Sequence, residues 1–525
     1  MAMDPMLEGK KLNYQHHKNG TTYVYEVLDR YWDKDKKQPR TKQICIGKLD
    51  PETGAFIPSK RFGEHGAAAM STEITAKTVV TGPYLLLERI NEEIGLATCL
   101  RKASPDHWRE ILALSWYVLA SGQALSHADI WLSQHESPTD QILSSQRISE
   151  LLADINEDVR QTFFKVWGKK LSAHDYLCYD ITSVSSYAEQ NEFVRYGYNR
   201  DGESLPQINL AMVYGQKRCL PVTYRELPGS VTDVKTLENL IDQFDKLAFS
   251  KWHLVLDRGF YSKANEDLLA DAGHHFVIAV PTHLRFIREQ IDRYRDEIDG
   301  PDGLRRIDGE AIYCKTILYP WGDQRRRCYL QIYFTPQRMV DDRVRFDEFI
   351  LQLEEELLEN RPVDEHEEQY RQYFTVKETP KRGRKVSRNS QAIVDARKKY
   401  IGFSALLTTK LKDPIEALTV YREKDVVEKC FDDLKNELDM KRLRVHTSQR
   451  MKGRTFIQFI AMIQLAQIRK TMRETGLVKQ YTAKRLLMEL ESLTTIEYTG
   501  RYKNKRSEMT KAQREIFQAF NVMLD

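Results

Sequence analysis

The nine residues YLCYDITSV, positions 176–184, decide how this chain is read. They are apolar and β-branched, as in a strand buried on both faces, yet Asp180 stands in their middle. A carboxylate there is costly unless something compensates it, so Asp180 is more informative than an aspartate in a loop. Reading outward, QINLAMVY (207–214) and LPVTYRE (220–226) form two further strands separated by a turn at 215–218. GYNRDGESLP (197–206) is a turn-rich connection between the first two. GSVTD (229–233) leads into an amphipathic helix over 234–244, with Ser230 or Thr232 available as N-cap. HLVL (253–256) is a strand that ends at Asp257, Arg258 and Gly259; a helix over 264–272 and the strand HFVIAV (275–280) come next. Three strands, a crossover helix, a strand, a helix and a strand make a mixed α/β sheet. Asp257 thus sits where such sheets present their ligand-facing residues.

A second informative stretch is LTVYREKDVVEKCFDDLK, residues 418–435. No Gly or Pro interrupts it, and its spacing predicts one continuous helix. At about 100° per residue, Tyr421, Lys424, Glu428 and Lys435 fall within an arc of roughly 60°. Val420, Val427, Phe431, Leu434 and Leu438 form a neighbouring apolar stripe. Taken alone, this is equally a surface helix with an i,i+4 Lys424–Glu428 pair.

The rest of the chain supplies context. Its 525 residues suggest two to four domains, and 41% hydrophobic with 30% charged residues is a globular composition. Lys and Arg total 80 against 76 acidic residues, a net charge of +4 that neither demands nor excludes a nucleic-acid partner. Seven cysteines without CxxC spacing favour reduced thiols in a cytosolic protein. No apolar run is long enough for a membrane span. Met1–Pro5, ahead of a second Met at position 6, reads as a cloning remnant outside the fold. Two strands are expected at 21–26 and 42–48, and helices over 84–94, 107–121, 127–134 and 146–167. Beyond residue 283 an antiparallel pair (311–318, 327–334) precedes a charged helical run (342–359). The basic stretch 377–399 reads as a solvated loop or a phosphate contact. A strand (403–409), the helix above, an apolar helix (454–472) and a basic, then helical, tail complete the chain.

Three carboxylates, Asp180, Asp257 and Glu428, would repel one another if brought together without cations. Hard divalent ions such as Mg²⁺ or Mn²⁺ take oxygen ligands and would relieve this, and a pair of them suits in-line phosphoryl displacement. Periodicity does not show that the three acids meet. Several blocks together do carry a resemblance: Tyr179-Asp-Ile-Thr182, Gly197-Tyr-Asn-Arg-Asp-Gly202, Leu205-Pro-Gln207, Gly229-Ser-Val-Thr-Asp233, Asp257-Arg-Gly-Phe260, and Tyr421, Lys424, Glu428 and Lys435 at their spacing. In this order, over roughly residues 175–470, the chain resembles the DDE transposases of bacterial insertion sequences. More narrowly it resembles the group marked by Tyr-(2)-Arg-(3)-Glu-(6)-Lys around the third acid. The consecutive letters Tyr421-Arg-Glu-Lys424 are not that signature, and Glu423 is a decoy. Lys424 stands where the group usually has Arg, keeping the charge but not the bidentate geometry.

The resemblance implies an α/β fold with a ribonuclease-H-like catalytic core and a β-rich insertion, preceded by a small β unit and a helical block. The implied segments are a β unit (6–75), a helical DNA-end-binding block (76–170), the core in two parts (171–282 and 401–475), the insertion (283–400), and a tail (476–525) for DNA binding or dimerisation. It implies that Asp180, Asp257 and Glu428 are catalytic and hold two Mg²⁺ or Mn²⁺ ions. Tyr421, Lys424, Lys435 and Arg258 would hold DNA phosphates, with Lys381, Arg382, Arg384 and Lys385 as further backbone contacts. The implied partners are double-stranded DNA, namely terminal inverted repeats and target, and a second copy of the chain in the end complex. The implied setting is the bacterial cytoplasm, at the nucleoid when DNA-bound. A catalytically silent DNA-binding relative and a nuclease of the same fold are the alternatives.

Overall fold

The computed structural model describes residues 7, 9–18, 20–33, 38–51, 53–59, 76–171, 175–188, 191–246, 252–322, 325–379, 383–443, 445, 447–498 and 503–523. Met1–Pro5 and two expected phosphate contacts, Lys381 and Arg382, lie outside the described residues. The chain divides into two compact units: Met1–Thr78 with Ile496–Lys505, and Val79–Thr495 with Arg506–Asp525.

In the smaller unit, strands Leu12–His16, Thr22–Asp33, Gln38–Leu49 and Phe56–Pro58 pair antiparallel in chain order. Val24, Ile46 and Leu7 are buried, and Leu12, Leu49 and Phe56 close around them. The two long strands outrun the apolar runs that predict them. Their outer ends are largely exposed, where polar side chains suit a strand as well as apolar ones do.

The larger unit is built on one ten-stranded sheet. Its strands are β1 (Tyr176–Ser186), β2 (Gln207–Gly215), β3 (Leu220–Pro228), β4 (His253–Leu256), β5 (His275–Val280), β6 (Leu304–Ile307), β7 (Glu310–Trp321), β8 (Arg326–Phe334), β9 (Phe403–Thr408) and β10 (Arg442–Leu443). Their order is β6-β7-β8-β9-β5-β4-β1-β2-β3, with β10 beside the end of β1. Strands β1, β4 and β5 run parallel, and β2 and β3 are antiparallel to their neighbours. The five at one end of the sheet, β3-β2-β1-β4-β5, fit a ribonuclease-H-like core. Strand β2 is buried along its whole length, which explains its largely apolar sequence.

The insertion does not stand apart as expected. Strands β6, β7 and β8 continue the core sheet, because β8 pairs with β9 from Tyr329↔Thr408 to Phe334↔Phe403. Only the helix Pro336–Leu358 and the chain between it and β9 form their own apolar cluster, around Ile350, Leu353, Leu357, Tyr370, Tyr373, Phe374 and Ile393. The basic run is not a loop either. It forms the hairpin Phe374–Thr379/Gly383–Arg388, with Val376 opposite Val386, and then the helix Ser390–Lys399. Asn389 caps that helix by accepting from the Ala392 N–H at 3.4 Å.

The helices Gly82–Ile94, Leu96–Ala103, Trp108–Ser121, Ala128–Gln134, Ser145–Asp154 and Glu157–Leu171 share a core with the sheet. Leu96–Ala103 is unexpected; Gly95, at φ 63°, ends the preceding helix and starts this one. The single helix expected over 146–167 is two, because Asn156 restarts the chain by accepting from the Val159 N–H at 3.0 Å. The 28-residue helix Ser448–Thr475 is buried over most of its length. Its Phe456 and Phe459 meet Phe163 and Phe164 edge to face, and Phe459 also lies against Tyr224 of β3. All seven cysteines are free. Among the described residues no helix is long and apolar enough to cross a membrane.

Gly453 sets how closely this long helix approaches the block, since a β-carbon there would overlap the Leu152 carbonyl. In an ordinary helix interior Gly→Ala gains about 1 kcal/mol. Here Gly453→Ala is expected to lower stability by about 1–3 kcal/mol through overpacking, read as a fall in Tm. A raised Tm would show that the two helices are not in contact at this point.

Candidate active site

Strand register sets the first pair of acids. β1 and β4 are parallel, with Tyr179 opposite Leu256. The next residue on each, Asp180 and Asp257, therefore emerges at neighbouring positions, about 5 Å apart along the sheet. Asp180 Oδ1 accepts from the Ile181 N–H at 2.8 Å. Burial pushes the Asp180 carboxyl from 3.8 up to about 6; the Ile181 N–H and the charges of Lys424 and Arg200 hold it down, and that of Asp257 adds to the rise. Asp257 caps the short turn Arg258–Phe260, accepting from the Arg258 N–H at 2.8 Å. The same oxygen accepts from the Tyr421 hydroxyl at 2.7 Å.

The stretch 418–435 is not one helix. It is divided between α1 (Pro414–Arg422) and α2 (Asp425–Asn436). Gln216, in the turn between β2 and β3, donates Nε2 to the Val420 carbonyl at 2.8 Å. That oxygen is the α-helical acceptor for the Lys424 N–H. Lys424 N–H instead bonds the Tyr421 carbonyl at 3.2 Å, and Val426 and Val427 also bond three residues back, at 3.3 and 2.9 Å. The chain tightens for one turn and then resumes as α2. The buried face of α2, Val427, Cys430, Phe431 and Leu434, lies on the sheet, with Cys430 Sγ 3.6 Å from Met212 Sδ of β2.

The tight turn brings Lys424 over the acids. Its ammonium donates to Glu428 Oε1 at 2.5 Å, lies 4.0 Å from Asp257 Oδ2, and sits 5.8 Å from the centre of the Tyr421 ring. Burial works against that charge, but the Glu428 hydrogen bond and the charges of Asp257 and Asp180 outweigh it, and the Lys424 pKa is raised. Burial, followed by the charge of Asp257, raises the Tyr421 phenol, which remains a hydrogen-bond donor at neutral pH. Asp257 and Glu428 thus flank one ammonium, whose charge also acts on Asp180. Among the described residues, no three His, Cys, Asp or Glu side chains gather closely enough to hold a metal ion.

The other expected residues divide. Arg258 is exposed, and its charge reaches the Tyr421 hydroxyl. Lys435 does not join the acids: it binds Asp201 of the 197–206 connection, at 2.7 and 2.8 Å. Arg384 bonds Asn360 and Lys385 is exposed; among the described contacts neither reaches the three acids. Two residues that shape the site were not expected, Gln216 and Arg200. Arg200 lies against Ser183 Oγ and acts on Asp180. Gln207, an amide within an apolar strand, donates to the Tyr198 carbonyl of the connection, and Asn209 beside it donates to the Val231 carbonyl beyond β3.

Chemically the site is an all-carboxylate donor set with lysine, tyrosine and arginine at its rim. The family model described as "Transposase DDE domain" matches residues 171–463, more than half of the chain. The chain belongs to that family and is by class a DNA transposase, an enzyme that cuts and rejoins DNA. Among solved structures it is similar to the piggyBac transposase in its synaptic complex with hairpin DNA, determined by cryo-EM. Identity is 10% over 77% of this chain and 70% of that one, with a TM-score of 0.36, a likeness too loose to bear on the fold. No curated protein matches the sequence.

A carboxyl whose folded pKa lies above its unfolded value favours the fold below the lower value and loses that contribution as pH rises through the higher one. For Asp180 the window runs from 3.8 to about 6. Without divalent metal at pH 7, Asp180→Asn is therefore expected to raise stability, by at most about 3 kcal/mol, while the Asn oxygen keeps the Ile181 N–H bond. The gain should vanish below pH 4. Thermal melts of both proteins from pH 4 to 8 check this, and a variant that melts lower at pH 7 would contradict it.

Proposed function

We propose that the protein is a cut-and-paste transposase of a bacterial insertion sequence, of the group with the spaced Tyr-Arg-Glu-Lys signature. It acts as a dimer that pairs two element ends, cleaves them and joins their 3′ ends to target DNA. The observation that carries this reading is the emergence of Asp180 and Asp257 from adjacent parallel strands, with Lys424 linking Glu428 to them.

The donor chemistry suits Mg²⁺ or Mn²⁺ once Lys424 leaves Glu428 and the acids draw together: the oxygens are hard, and Asp180 is held as an anion only at a cost. Asp180, Asp257 and Glu428 would hold the ions, which supply activation of water or a 3′-hydroxyl and stabilise the leaving oxygen. Lys424 keeps the acids together before loading and is close enough to contact a DNA phosphate afterwards. Tyr421 orients Asp257 through its hydroxyl. Arg258 lies open to the backbone, and Lys435, through Asp201, fixes the connection beside the site. Arg384 and Lys385, on the hairpin, are more distant contacts for target or flanking DNA. The helical segment 76–170 recognises the terminal repeats.

The assay uses labelled DNA bearing the element's terminal inverted repeats, read from the sequence flanking the gene, with Mg²⁺ or Mn²⁺. Strand-transfer products support the proposal; cleavage without transfer indicates a nuclease, and binding alone a silent relative. Glu428→Gln is expected to reduce cleavage roughly 100-fold or more while leaving end binding within about threefold. Unchanged cleavage in that variant would remove Glu428 from the site.

A further inference from the structure

The connection between β1 and β2 carries three tyrosines whose rings face solvent: Tyr187 is 69% exposed, Tyr196 74% and Tyr198 82%. A single exposed aromatic needs no explanation. Three within twelve residues, on backbone fixed at many points, do. Gln207 Nε2 donates to the Tyr198 carbonyl at 2.8 Å, and Arg195 and Gln207 exchange backbone hydrogen bonds at 2.9 Å. The Gly229 N–H donates to the Phe193 carbonyl at 3.1 Å, and a β-carbon on Gly197 would overlap the Gly229 carbonyl. Asn199 Oδ1 accepts from the Asp201 and Glu203 N–H groups at 2.8 and 3.3 Å. Two acids of the connection are neutralised, Asp201 by Lys435 and Glu203 by Arg442, while Glu192 is exposed. Hydrophobic burial therefore does not hold these rings, and the backbone that presents them is rigid.

Their surroundings point to a ligand. Arg200 lies beside Ser183, three residues along β1 from Asp180, and its charge acts on that carboxyl. Arg442 interacts with Tyr187, and Lys441 acts on Glu203. Arg195 is exposed on the same segment. Exposed aromatic faces among cations are how proteins hold unpaired nucleotides: bases stack on the rings while the cations follow the backbone. Paired bases within a duplex offer no free face.

We propose that Tyr196 and Tyr198, flanked by Tyr187, form a stacking shelf for unpaired bases of DNA beside the scissile phosphate. The proposal rests on the transposase reading and adds to it the kind of DNA the site prefers. The shelf would favour ends that are frayed or single-stranded next to the cut.

The test measures binding of the full chain in EDTA, by anisotropy, to three labelled probes: a blunt duplex, the same duplex with a four-nucleotide overhang, and that duplex with an abasic overhang. The wild type should bind the overhang about 5- to 100-fold more tightly than the blunt duplex, and the abasic overhang should lose that preference. Tyr196→Ala/Tyr198→Ala should lose the preference with an unchanged Tm and an unchanged affinity for the blunt duplex. Tyr196→Phe/Tyr198→Phe, which keeps the rings, should retain it. Equal wild-type binding to blunt and overhang probes, an abasic overhang bound as well as the normal one, or an alanine variant that keeps the preference would overturn the shelf alone. Failure to bind any of the three probes at low salt would overturn the transposase reading and the shelf with it.

Discussion

The ammonium of Lys424 is the interaction on which this site depends. Asp180 is half-buried on strand β1 and has the charge of Asp257 beside it, so its anion is disfavoured. Glu428, on a helix above, adds a third negative charge. Lys424 meets all of this with one half-buried cation, bonded to Glu428 and close to Asp257. A site arranged in this way is strained toward any ion that can neutralise the acids better, as a hard divalent cation can.

The position of Lys424 depends in turn on contacts far away in sequence. Gln216 takes the Val420 carbonyl, and the chain tightens just where the lysine must turn over the acids. Tyr421, one residue beyond that carbonyl, reaches Asp257 with its hydroxyl. α2 is then seated on β1 and β2 by Val427, Cys430, Phe431 and Leu434. The sheet beneath is stiffened by β6–β9 on one side and by the Ser448–Thr475 helix, which also carries the helical block. Packing of this extent holds charged groups in place that would otherwise move apart.

Much of this was legible in the sequence. Apolar runs in 176–184, 207–214 and 253–256 are strands, and the acids within and after them stand where the register joins them. The Tyr421, Lys424 and Glu428 spacing also marks one face, although the helix that implied it is broken. What the sequence did not reveal depends on partners distant in the chain. The break at Lys424 comes from Gln216, some two hundred residues earlier. Lys435 turns away because Asp201 lies within its reach. The strands after residue 300 alternate as an antiparallel pair would, and nothing local says that their outer neighbour is β9 of the core. The basic run at 377–399 hides a hairpin because its cross-strand apolar pair, Val376 and Val386, is outnumbered by the charges around it.

If Asp180, Asp257 and Glu428 form one site for divalent metal, with Lys424 holding it before the metal binds, the metal itself should be visible there. Anomalous diffraction from crystals grown with Mn²⁺ and end DNA is the decisive measurement. Manganese peaks are expected between the carboxylates of Asp180 and Asp257, with Glu428 as a ligand and Lys424 withdrawn toward phosphate. Manganese elsewhere, or a Glu428–Lys424 pair unchanged beside an empty pair of aspartates, would contradict this assignment.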